Sequence, residues 1–229
     1  MKIDLAQYLK ERYEERNVIK SDPGPVITIS RLTGCPGKKV SQRLTELLNQ
    51  RCLELNRKDN WKWIGKELFV EAAKELDLEP EVVEEILTHK RNIIDQILSS
   101  QTRKFYKNDI TVRKTLGEVI RSMANDGHVV ILGRGGVSIT RDIYRSLHIS
   151  LQAPIEWRVK IISEKENISR DEALKYITEM DKNRSQYRHF FEAKTNKPIE
   201  FDINFNCETL CVEDIAQAIF KIAETKKLI

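Results

Sequence analysis

Val26-Ile27-Thr28-Ile29-Ser30-Arg31-Leu32-Thr33-Gly34-Cys35-Pro36-Gly37-Lys38-Lys39-Val40 is the stretch that decides the fold. It opens on an uncharged, β-branched run, the pattern of a strand buried on both faces. Gly34 and Gly37 then mark a turn. From Val40 the period changes, and Val40, Leu44, Leu47, Leu48 and Leu55 fall on one helical face. A strand turning sharply into a helix gathers backbone N–H groups and the positive end of the helix dipole at one point. With Lys38 and Lys39 in the turn, that point suits a phosphate tail. The pattern Gly-x-x-x-x-Gly-Lys-Ser/Thr is not satisfied: ending it at Gly37-Lys38 puts Leu32 at the first glycine and Lys39 at the hydroxyl. Taken alone, the stretch suits a phosphate loop and an ordinary strand–turn–helix corner equally.

Around it, the chain alternates strands with helical segments. A short amphipathic helix is expected over 3–16, followed by a break at Ser21-Asp22-Pro23-Gly24-Pro25. The middle third reads as helical, with apolar faces marked by Leu68, Ala72 and Leu76, by Val82 and Ile86, by Ile93, Ile94 and Ile97, and by Val112, Leu116, Val119, Ile120 and Met123. His128–Leu132, Leu147–Leu151 and Phe201–Phe205 read as further strands, with helices near 154–164, 169–192 and 212–226. Such alternation implies a parallel sheet covered on both faces by helices, with ligands bound beyond the carboxyl ends of its strands. Both glycine turns, at 34–37 and 133–136, fall at such ends.

Two more clusters carry chemistry. In Gly133-Arg134-Gly135-Gly136 an arginine at a strand end can grip a phosphate bidentately, although a surface arginine in a flexible turn has the same sequence. It fails Gly-x-Gly-x-x-Gly, which argues against a dinucleotide site. Asp181, Arg184 and Arg188 share one helix face, where two guanidiniums could neutralise a transferring phosphoryl group or form a solvated ion-pair stripe. His189 reads as a bystander, and Trp61, Trp63 and Trp157 as core or rim.

The 229 residues include 40% hydrophobic and 32% charged, enough apolar content to exclude a disordered chain. The net charge of +4 tolerates a phosphorylated small molecule, and no basic groove-reading motif suggests nucleic acid. The four cysteines, Cys35, Cys52, Cys207 and Cys211, match no zinc spacing. No apolar run reaches the length of about 20 residues that a membrane span needs. The charged N-terminal residues do not read as a secretory signal, so reduced thiols and a cytoplasmic location are expected.

These stretches, in order, resemble the cytidylate kinase-like family of P-loop nucleoside monophosphate kinases. The resemblance rests on VITISRLTGCPGKKVSQRL, WIGKELFVEAAKEL, VVILGRGG, DKNRSQY and FDINFN, and spans about Val26 to Ala223. It implies an α/β, three-layer P-loop fold over 25–229 after an N-terminal helix and linker (1–24), with a helical nucleoside monophosphate region at 60–125 and a LID at 166–198. It further implies an ATP-dependent transfer of the γ-phosphoryl group to a pyrimidine monophosphate, CMP or dCMP, with Mg2+ accompanying ATP. Lys38 would take the catalytic cation's role, with Arg184 from the LID; Arg188 joins them on geometry alone. Arg31, Thr33, Gly34, Cys35, Pro36, Gly37, Lys39 and Val40 would line the donor phosphates. Arg134, Arg113 and Asp181 would hold the acceptor. Partners would be small nucleotides, not nucleic acid or membrane.

The chain also departs from the family pattern. Aligned on Gly34, Pro36 stands at the last P-loop glycine, Gly37 at the lysine and Lys39 at the magnesium-binding hydroxyl. Leu132 and Gly135 replace acidic residues flanking the Gly-Arg pair, and Ile177 and Met180 replace LID arginines. The alternative is therefore a kinase fold that binds a nucleotide or other phosphorylated ligand without efficient turnover.

Overall fold

The computed structural model describes residues 23–65, 113–114, 117–192 and 199–229. The expected helices at 3–16 and across 68–112 lie outside those residues, as does 193–198 of the LID region.

The strands are β1 (Val26–Arg31), β2 (Lys62–Ile64), β3 (Val129–Leu132), β4 (Ser146–Gln152) and β5 (Ile203–Asn206). They form a parallel sheet in the order β2-β3-β1-β4-β5. β1 is central because its residues are apolar in both directions: Ile27 and Ile29 enter one core cluster and Val26 the opposite one. The helices are α1 (Gly37–Glu54), α2 (117–126), α3 (Gly136–Thr140), α4 (Ile155–Glu166), α5 (Arg170–Glu192) and α6 (Val212–Thr225). α1 and α6 pack together over one face, where Val40, Leu44, Leu47 and Leu48 meet Ile215, Ala216, Ile219 and Ala223. Val119, Ile120 and Met123 of α2 cover the other face with Tyr187 and Phe191 of α5. This is the α/β P-loop fold.

Leu55 departs from the expected stripe. It is the C-cap of α1 and lies 45% exposed, because the helix ends before carrying it back to the core. β2 was not expected, and it falls within the stretch read as helical from residue 60. It contains only Lys62-Trp63-Ile64, too short for alternation to register, and it forms by pairing in parallel with Val129–Ile131.

From β1 the chain runs out to edge strand β2, returns to β3, and then crosses to β4 on the other side of β1. Connectivity thus reverses at β1, the point at which open α/β sheets bind ligands beyond the carboxyl ends of their strands.

The α3 side of β4 carries a buried polar row, Ser146, His148 and Ser150. His148 Nδ1 lies 2.8 Å from Thr28 Oγ1, and Nε2 lies 3.2 Å from Ser146 Oγ. Burial holds the imidazole below its ordinary range, opposed by Asp202 and reinforced by Lys226 and Arg141. The neutral ring is thus favoured by folding, so its contribution is full above the unfolded value of about 6.5 and is lost as pH falls. Urea denaturation at pH 7.5, 6.5 and 5.5 should show stability falling with pH, more steeply than in a His148→Gln variant. Equal pH slopes in the two proteins would contradict this role for the ring.

Candidate active site

The β1–α1 turn begins at Leu32, whose N–H donates to Leu151 O at 3.0 Å. Gly34 takes φ 96°, a conformation that favours glycine, and a Cβ there would lie 3.2 Å from Arg158 Cβ. Cys35 N–H donates to Leu32 O and Gly37 N–H to Cys35 O. The first intrahelical bond of α1 runs from Val40 N–H to Pro36 O, and no side chain caps the helix. The N–H groups of Lys38 and Lys39 precede that bond, at the positive end of an 18-residue helix. Both lysine side chains are exposed. Lys38 Nζ rests 5.7 Å from the ring centroid of Trp63 on β2, a cation–π contact that holds it beside the turn. Val40 faces inward: its side chain is in the core and its N–H is spent within the helix.

Arg31 joins the two glycine turns. A Cβ on Gly37 would lie 3.3 Å from Arg31 Cγ, and one on Gly133 only 2.0 Å from Arg31 Nη1. Gly133 N–H also donates to Ile29 O at 2.9 Å. The β3–α3 turn bearing Arg134 therefore lies against the β1–α1 turn.

α5 closes the third side. Asp181 Oδ1 accepts from Thr33 N–H at 2.8 Å and Thr33 Oγ1 at 2.7 Å. Its Oδ2 accepts from Arg158 Nη1 at 2.7 Å. Arg184 Nη1 donates to Thr33 Oγ1 at 3.0 Å, and lies 3.7 Å from Asp181 Oδ1. Burial pulls the Arg184 guanidinium below its usual value, against the attraction of Asp181, and the charge of Arg188 works in the same direction as burial. Asp181 turns toward Thr33 and Arg158, whereas the family resemblance puts it beside an acceptor sugar. Arg113 sits in a different part of the wall, buried, with its guanidinium 5.4 Å from both the Tyr187 and Phe190 rings. Gly135, at φ 66°, lies under Phe191.

Arg158 was not found from the sequence. It lies in the first turn of α4 with 8% of its surface exposed, donating from Nε to Ala153 O at 3.1 Å. One signal was available. A cation in a helix's first turn opposes the dipole, so it needs a partner elsewhere; here that partner is Asp181.

The side chains of the turn do not suit magnesium. Lys39 occupies the position of the expected hydroxyl, and an ammonium has no lone pair to coordinate a cation. Ser41, one residue beyond Val40, is fully buried and donates to Gly37 O at 2.9 Å. Asp181 is engaged by Thr33 and Arg158. Among the described residues, no group of three or more His, Cys, Asp or Glu side chains is placed to hold a metal ion. The turn does not offer a free protein ligand to the metal.

Residues 26–209 match the sequence model of the cytidylate kinase-like family. The chain belongs to the cytidylate kinase-like family. No curated protein matches it. Among solved structures, an uncharacterized protein from Eubacterium ventriosum aligns at 22% identity over 88% of this chain and 98% of its own, with a TM-score of 0.59. Shikimate kinase from Bacteroides thetaiotaomicron aligns at 13% identity over 87% and 98%, with a TM-score of 0.47. Shikimate kinase from Acinetobacter baumannii, in complex with shikimate, aligns at 14% identity over 90% and 96%, with a TM-score of 0.44. Among the described residues of this cytidylate kinase-like chain, no helix is long and apolar enough to cross a membrane.

Proposed function

We propose that this chain transfers the γ-phosphoryl group of ATP to a nucleoside monophosphate, with CMP or dCMP as acceptor. The observation that carries the proposal is Arg31, whose side chain contacts both glycine turns while Arg184 of α5 reaches the adjoining Thr33. Groups from three separated stretches thus lie side by side, as a reaction joining two phosphate esters requires.

In this reading the start of α1 receives the donor phosphates. The amides of Gly34, Lys38 and Lys39 give hydrogen bonds, and the Lys38 ammonium offsets charge. Arg134 grips the acceptor monophosphate, and Arg113 is the second candidate for it. Arg184 supplies positive charge as the phosphoryl group moves, and Arg188 adds to that field. Catalysis is positioning and charge neutralisation. Because the turn offers no metal ligand, no step is assigned to protein-held magnesium.

A coupled ADP-release assay across the nucleoside monophosphates, with magnesium supplied, tests this. ADP release with CMP or dCMP is expected, and none with any acceptor would overturn it. Arg134→Ala should weaken CMP binding about 10- to 100-fold, the effect of losing a charged hydrogen bond, and leave ATP binding near normal. Lys38→Ala should do the reverse. Small, equal effects would make both turns structural only.

A second reading follows from Lys39, Leu132 and the engagement of Asp181: a fold that binds the nucleotide without efficient turnover. Tight ATP binding without ADP release would favour it.

A further inference from the structure

Cys35 lies in the phosphate turn, and Cys207 follows β5, a separation of 172 residues that the sheet closes. β1 and β5 both flank β4. Leu32 N–H bonds to Leu151 O on one side of β4, and Cys207 N–H bonds to Gln152 O at 2.7 Å on the other. The two loops therefore curl over the same strand end. Cys207 is buried in the main core cluster, and Cys35, half-buried, packs against that cluster. Each thiol acts on the other: Cys207 holds the Cys35 thiol below its ordinary range, and Cys35, together with burial, pushes Cys207 up. The charge of Arg158 also favours a Cys35 thiolate.

We propose that Cys35 and Cys207 form a peroxide-sensitive dithiol whose oxidation to a disulfide ties the phosphate turn to the end of β5. The Cys35 thiolate attacks a hydrogen peroxide oxygen; the O–O bond breaks, and hydroxide leaves and is protonated to water. Cys35 is then a sulfenic acid. The Cys207 sulfur attacks the Cys35 sulfur, the S–O bond breaks, and the hydroxyl leaves with the Cys207 proton as a second water. The peroxide is reduced to two waters as the two thiols are oxidised to one disulfide. Cys211 is the nearest competitor in sequence, but its sulfur caps α6, accepting from Asp214 N–H at 3.5 Å. Cys52 is buried near the other end of α1.

The disulfide stands apart from the nucleotide reading; only its effect on binding rests on it. The full chain, treated with stoichiometric hydrogen peroxide, alkylated and digested, should yield a Cys35–Cys207 cross-linked peptide that disappears on reduction. Cys35→Ser and Cys207→Ala should each abolish it, and Cys211→Ser should not. ATP binding measured by calorimetry should weaken about tenfold or more on oxidation, because the turn is displaced, and recover with dithiothreitol. Were both thiols to stay alkylatable, or the cross-link to map to another pair, the proposal would be overturned. Unchanged ATP affinity in the cross-linked protein would remove the tie to the phosphate turn. If the reduced protein binds no ATP, the nucleotide reading fails, while peptide mapping still decides the dithiol. If Cys207→Ala does not fold, Cys35→Ser carries the test.

Discussion

Replacing Asp181 with alanine is expected to cost about 3–5 kcal/mol of folding stability, the effect of breaking a buried ion pair from one side. Arg158 has a side chain only 10% exposed, so losing the carboxylate strands a guanidinium away from water. The same change removes the acceptor of Thr33 N–H and Oγ1, at the entrance to the β1–α1 turn. ATP binding should weaken with it, by about 10- to 100-fold, since a displacement near 1 Å at a positioning group has effects of that order. Asp181→Asn keeps the shape and an acceptor for Thr33 but loses the charge facing Arg158, so a smaller loss of about 1–3 kcal/mol is expected. Urea denaturation of both variants checks the stability and calorimetry the binding. If Asp181→Ala is as stable as the parent and binds ATP unchanged, the linkage between α5 and the turn is incidental.

Gly127→Ala is expected to be at least as damaging. Gly24 and Gly127 pass each other at the start of β1 and β3, the strands that carry the two glycine turns, with Gly24 N–H donating to Asn125 O at 3.0 Å. A Cβ on Gly127 would lie 2.4 Å from Gly24 Cα, and the residue takes φ 83°. Left-handed conformation costs an alanine about 1–2 kcal/mol. Overpacking adds about 1–3 kcal/mol, at the upper end here because the obstacle is backbone and cannot swing aside. A total near 3–5 kcal/mol should appear as a lower urea midpoint with an unchanged slope. Gly133→Ala is the informative contrast. It has a similar φ, 72°, but its obstacle is the far end of the flexible Arg31 side chain. It should unfold less readily than Gly127→Ala while disturbing ligand binding more.

How far the sequence carried these conclusions depended on distance along the chain. β1 and α1 were legible because an unbroken β-branched run and a helical apolar period are local signals that the burial of Ile27, Ile29, Val40 and Leu44 obeys. β2 was illegible because Lys62-Trp63-Ile64 has no pattern of its own; pairing with β3 makes it a strand. Asp181 and Arg184 were legible as a helix-face pair, but their shared partner Thr33 was not, because nothing local brings positions 148 residues apart together. Arg158 was hidden for the same reason, since its two long-range ties, to Asp181 and to Thr33 O, cross from α4 to α5 and to the first turn. The approach of Cys35 to Cys207 needs the strand order itself, which places β1 and β5 on either side of β4.

The central claim is that the turn from Gly34 to Lys39 receives a polyphosphate. Two-dimensional amide NMR of the reduced full chain, titrated with ATP and then with inorganic triphosphate, tests it most directly. Saturable shifts of the Gly34, Lys38 and Lys39 amides with both ligands are the expected result, accompanied by Thr33 and diminished in Lys38→Ala. Shifts confined to other parts of the chain, or no saturable shift at those amides at millimolar ligand, would contradict it.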